Sequence, residues 1–366
     1  MQPRHCFRRL AAVLFVGFLC PQLRAQDTNS APAAVAPILT GNAPASASTG
    51  VKSRVVLVRD PSAVSSYSVD AAKAQEMVAT GIKSLTGEGD EAAAWRHFVS
   101  SNDVVGIKIS TQTGPLQSTR HVVVETIAHG LRAAGVSGTN IYVFDRDPLQ
   151  MQAAGYRLTN DGSNGFRVVS IIGGTGWDPQ AYFQNNLAGK LIWGDLLFGK
   201  DDDLLSKRSH VPKLVSGTIT KLINVPVLQD HDACGEAGCL YNLSLGMVDN
   251  TRRFETLGQR GDPMIAEICG MPLLREKLAL NVMDGLIAGY AGGPEFKLQY
   301  SWGYGALYMS VDPVAIDALC LEAIDAKRLE ARITPAGPHA THITTAAKAG
   351  LGQSDRAKID LVAVKP

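Results

Sequence analysis

What this sequence lacks narrows its reading quickly. Beyond residue 25 no apolar stretch is long and charge-free enough to cross a bilayer as a helix, which takes about 20 residues. No stripe of Lys and Arg marks a nucleic-acid partner. The chain holds 35 basic and 34 acidic residues, and four of the basic ones lie in the first 25 positions with no acid among them. Without that segment, 31 basic residues face 34 acidic ones, a formal −3. The glycine-rich pieces IIGGTGWD (171–178) and YAGGPE (290–295) carry neither a dinucleotide fingerprint nor the Lys-Ser/Thr of a P-loop, so both are expected to be turns. No G-x-S-x-G elbow is present, which removes one class of serine hydrolase. Cysteine is scarce: six in all, with Cys6 and Cys20 in the first 25 residues.

What is present begins with an export signal. Arg4, Arg8 and Arg9 precede an apolar run from Leu10 to Cys20; Pro21 and Gln22 break it, and Ala25 offers a small residue at a cut. Those parts in that order predict a signal peptide over 1–25 and an exported product, periplasmic or secreted. Residues 26–52, rich in Ala, Pro, Ser and Thr, have no apolar periodicity and are expected to be a flexible linker. The stretch 53–366 is apolar enough for a sizeable core.

In that stretch, short β-branched runs alternate with helical patterns. Strands are expected at 53–60, 103–110, 140–147, 167–172, 221–228, 278–285 and 306–312. Helices are expected at 68–85 after a Ser68 cap, at 118–135 and at 314–328. The fold class this implies is α/β, a mainly parallel sheet covered by helices on both faces. Ligands of such sheets bind beyond the carboxyl ends of strands. Here several strands end in charge: Lys108, Asp145-Arg146, Asp230-His231, Asp284 and Asp312. Asp312 before Pro313 reads best as a helix cap, and Asp145-Arg146 equally well as an ion pair or a site.

The densest polar stretch is LQDHDACGEAGCLYNLSLGMVDN (228–250). His231, Cys234 and Cys239 are candidate ligands for a divalent transition metal, since imidazole and thiolate suit such ions. The spacing C-x4-C equally admits a disulfide between Cys234 and Cys239, or free thiols. His231, flanked by Asp230 and Asp232, is also a candidate general base. Cys269 and Cys320 sit in apolar helical contexts and are expected in the core. His339 and His342, spaced H-x-x-H, read as a surface pair or as ligands.

The series NDVVGIKIS, GLRAAGV…IYVFDRD, INVPVLQDHDACGEAGCLYNLSLGMVDN, KLALNVMDG, GGP and SVDPVAIDA resembles the DUF362 family from about residue 100 to 360. The resemblance implies an α/β fold with no settled general activity. The family's central motif falls on His231, Gly238, Leu240 and Asn242-Leu243, with Tyr241 where relatives usually have Lys. Phe254-Glu255 also stand where relatives often have His. Ferredoxin-like cysteine clusters of some relatives have no counterpart here, so no iron–sulfur cluster is implied. The expected site has His231, Lys108 and Asp284 as catalytic residues. Asp145, Arg146 and Asn242 would bind a small anionic molecule there, with or without a metal on His231, Cys234 and Cys239. The other expectation is a non-catalytic protein that binds a ligand or a metal through the same residues.

Overall fold

The computed structural model describes residues 52–200 and 204–366. The export signal and nearly all of the linker therefore lie outside the described residues. In chain order the strands longer than two residues are β1 (Ser53–Arg59), β2 (Val105–Ile109), β3 (Ile141–Asp145), β4 (Arg167–Ser170), β5 (Trp177–Lys190), β6 (Leu205–Pro212), β7 (Lys221–Val225), β8 (Val227–His231), β9 (Leu278–Gly289), β10 (Ser301–Ser310) and β11 (Ile359–Val364). The central sheet runs in the order β11-β1-β10-β9-β7-β2-β3-β4. Along that order β10 is antiparallel to β1 and β9, and every other neighbouring pair is parallel. The expected α/β class with a mainly parallel sheet is what the structure shows.

Both faces are covered, as the strand sequences require. Successive side chains alternate between two cores: Val143 and Phe144, Leu222 and Ile223, Val282 and Met283 each split between opposite sides. Val143, Ile223 and Val282 meet α1 (Ala71–Thr86) and α2 (His121–Ala133) through Met77, Val78, Val123 and Ile127. Phe144, Leu222 and Met283 pack on the side of α3 (Cys239–Leu243), α4 (Met264–Cys269), α5 (Pro313–Glu330) and α6 (Thr341–Lys348).

The caps are local chemistry. Asp70, not Ser68, starts α1 by accepting the Lys73 N–H, because Ser68-Val69 is used in a short pairing with Val64-Ser65. Gly87, at φ 80°, ends that helix in the left-handed region. Asp312 caps α5 through the Ala315 N–H (2.9 Å), as its position before Pro313 implied.

Two features depart from the expected strands. The run 221–228 is two strands, since Pro226 has no N–H to give the ladder; β7 pairs with the first part of β9, and β8 with its later part. Strands β5 and β6 form a separate antiparallel pair, for which the sequence pattern offered no signal.

Candidate functional site

A row of buried polar side chains crosses the sheet beneath α3. Lys108 on β2 stands opposite Asn224 on β7, Asn224 opposite Asn281 on β9, and Asn281 opposite Ser310 on β10. The hydrogen bonds follow that register: Asn224 Nδ2 donates to Asn281 Oδ1 (2.9 Å), and Asn281 Nδ2 to the Ser310 carbonyl (3.3 Å). From above, Asn242 of α3 donates to Asn224 Oδ1 (2.8 Å), and the Cys239 carbonyl accepts from Asn224 Nδ2 (3.1 Å).

The row ends in an ion pair. Lys108 Nζ donates to Asp145 Oδ1 (2.7 Å), Asn242 Oδ1 (2.8 Å) and the Ile109 carbonyl (2.7 Å). An ammonium has three donors, so all three are filled. Asp145 Oδ1 also accepts the Arg146 N–H, while Oδ2 takes the N–H and hydroxyl of Thr111. Burial pushes the Lys108 pKa down, and the carboxylate of Asp145 works against that fall. Arg146 reaches outward from the end of β3 and donates to the Leu245 (3.0 Å) and Val248 (3.3 Å) carbonyls, fastening the loop after α3.

A second group forms where β8 ends. His231 Nδ1 accepts two backbone N–H groups, from Ala233 and Cys234, at 3.2 Å each. With Nδ1 an acceptor, the neutral ring carries its proton on Nε2. Burial pushes the His231 pKa down, against the pull of Glu255 and Asp232, so the ring is neutral at pH 7. The Tyr241 ring lies 5.0 Å away, tilted by 42°, and its hydroxyl donates to Glu255 Oε1 (3.0 Å). Burial and the Glu255 charge push Tyr241 well up, so it stays a phenol.

Of the residues expected to share a site, Lys108, Asp145 and Asn242 meet in one network, and the adjoining Arg146 anchors the loop after α3. His231 is not part of that network and stands beside Tyr241. Asp284 is elsewhere: its carboxylate accepts the Arg120 (2.8 Å) and Leu286 (3.1 Å) N–H groups and so caps the start of α2, an end with no side-chain cap of its own. Burial pushes its pKa up.

Of the alternatives open for Cys234 and Cys239, the structure shows the free thiols. Cys234 and Cys239 are free, as are Cys269 and Cys320, and all four are buried. Between the first two, Gly235-Glu236 pairs back onto Asp230-His231, and α3 begins at Cys239. The chain thus sends Cys234 into the core around Phe144 and Phe254, and Cys239 into the core around Met283 and Cys320. Neither the disulfide nor the ligand trio His231, Cys234 and Cys239 is formed, and among the described residues no three His, Cys, Asp or Glu gather to hold a metal. Cys269 and Cys320 are core residues, as expected. His339 is only half-buried, but His342 is fully buried, so the pair is not a surface motif.

Sequence reasoning passed over Asn224, Asn281, Ser310, Glu255 and the Tyr241 hydroxyl. The signal for the first two was available: an Asn inside an apolar strand, as in KLINV and LALNV, has to find partners.

Against known proteins, the family model described as "Domain of unknown function (DUF362)" matches residues 201–322. This stretch, a third of the chain, is similar to the DUF362 family. The match is narrower than the resemblance read from the sequence. It takes in His231, Asn242 and Asp284 and leaves Lys108, Asp145 and Arg146 outside the DUF362 segment. No protein of curated function matches the chain. A structural-genomics crystal structure of a Thermotoga maritima protein is similar at 12% identity with a TM-score of 0.39, over 74% of this chain. The chain spans 61% of that protein's length.

Proposed function

We propose that the DUF362 segment binds a small anionic molecule beside α3, with His231 Nε2 as the hydrogen-bond donor. The observation that carries the reading is the pair of backbone donors on His231 Nδ1, which holds the ring and leaves Nε2 as its one available position. Arg146 lies within electrostatic reach of Tyr241, whose hydroxyl holds one oxygen of Glu255, a carboxylate that together with Asp232 acts on His231. Lys108 is not a binding group in this reading, because its three donors are already taken.

Calorimetric titration with small carboxylates and inorganic phosphate tests it. One of them is expected to bind wild-type protein and to lose at least tenfold in affinity in His231→Ala, roughly the worth of one charge-assisted hydrogen bond. Unchanged affinity in His231→Ala, or no binding by any of them, would sink the reading.

We also propose export, supported by the basic, apolar and small-residue order of residues 1–25. A mature chain beginning at Gln26 is the expected result of intact-mass measurement on the exported fraction. A chain retaining Met1 would overturn this.

A further inference from the structure

The two sides of α3 differ. Asn242 joins the polar row and Tyr241 lies beside His231, whereas Leu240 and Leu243, three residues apart and so on one side of the helix, line a separate cleft of about 140 Å³. Leu274, Leu278 and Leu351 add to its apolar wall, and the rim includes Val311, which is 59% exposed. At the wall, the Cys269 thiol already donates to the Leu240 carbonyl (3.2 Å), and burial pushes its pKa up, so it contributes neutral surface.

One charged residue lines this cleft, Arg275. It is exposed and enters no ion pair among the described residues. No carboxylate lines the cleft to compete for it. Asp312, between the lining residues Val311 and Pro313, has its oxygens engaged by the Ser53 hydroxyl and the Ala315 and Gln353 N–H groups, and Glu276, next to Arg275 in the chain, is exposed and does not line the cleft. Size sets the other limit: an apolar cavity of about 150 Å³ holds a benzene ring.

We propose that this cleft binds a small apolar carboxylate, with one ring or a chain of about six carbons in the leucine-lined floor and the carboxylate on Arg275. The guanidinium fork suits that group, and the apolar tail gains from leaving water. Such a ligand would brace α3 from behind, against the helix that carries Tyr241 and Asn242. The site is separate from the one proposed for His231 and does not depend on it.

Calorimetric titration with hexanoate, benzoate and hexanamide tests the proposal on the full chain. Hexanoate or benzoate is expected to bind at least tenfold more tightly than hexanamide. Arg275→Gln, at an exposed position, should keep its melting temperature and lose that preference. Val311→Trp should close the mouth and weaken every member of the series. His231→Ala should leave hexanoate binding unchanged; if it abolishes binding instead, the carboxylate sits in the first site and the proposal is overturned. Equal binding of acid and amide would reduce the cleft to an apolar slot without charge recognition. Sedimentation that finds a dimer broken by Val311→Trp would assign the cleft to a second copy. Either result overturns the proposal, as does the absence of saturable binding.

Discussion

His342 is fully buried, and neither of its ring nitrogens has a hydrogen-bond partner. Burial pushes its pKa down to about 4, with Asp262 pulling the other way and His231 adding to the fall. Between about 6.5 and about 4 the unfolded chain holds a proton that the folded chain refuses, so this group's contribution is complete above 6.5 and is lost as pH falls through that window. Two changes are expected in His342→Leu. At pH 7 the variant should be more stable by about 1–3 kcal/mol, because two unsatisfied polar atoms leave the core. The loss of stability between pH 6.5 and 4.5 should also be shallower. Urea melts at both ends of the window check both statements. A variant less stable than wild type at pH 7 would mean that the imidazole contributes an attraction absent from the side chains around it.

Helix α3 is short, and its start depends on an acid from another helix. Asp317 of α5 accepts the Cys239 and Leu240 N–H groups, at 2.6 and 2.8 Å. Burial pushes its pKa up to about 7 despite those bonds. Glu236, with both carboxyl oxygens unpartnered, is pushed well up by burial and by the Asp317 charge. Both shifts are upward, so here the sign reverses: the folded chain holds protons the unfolded chain releases, and stability is lost as pH rises from about 3.8 through 7. Glu236→Gln keeps the shape and removes one charge of the pair. It should match wild type at pH 4 and exceed it at pH 8, read from thermal melts. A lower melting temperature at pH 8 would refute the pairing.

Legibility at this scale depended on what each element buries. The strands of the central sheet were readable because β-branched runs such as VVGIKI and IYVF meet cores on both faces. The hairpin β5–β6 was not, since WDPQAYFQNNLAGK and LSKRSHVP mix amides, charges and Pro and lie outside that sheet. Within 228–250 the polar residues were visible, but their directions were not. Cys234 and Cys239 are separated by a short strand and a helix start, which sequence spacing cannot distinguish from a simple loop.

Across the whole molecule, the polar row joins the DUF362 segment to strands outside it. Asn224, Asn242, Asn281 and Ser310 lie within residues 201–322, while Lys108 and Asp145 come from β2 and β3. A charged pair this deeply buried gives little net stability against a well-packed apolar pair of similar volume, but removing one partner leaves the other unpaired. Lys108→Met should therefore cost about 3–5 kcal/mol. It leaves Asp145 without its cation and Asn242 Oδ1 without its donor, so amide exchange should quicken in α3, far away in the chain from the substitution. Adding Asp145→Leu should recover a large part of the loss, although the Thr111 donors then lack their acceptor. If Lys108→Met unfolds the strands around residue 108 while exchange in residues 239–243 stays slow, the row does not couple the two parts, and the DUF362 segment holds its helix without help from β2 and β3.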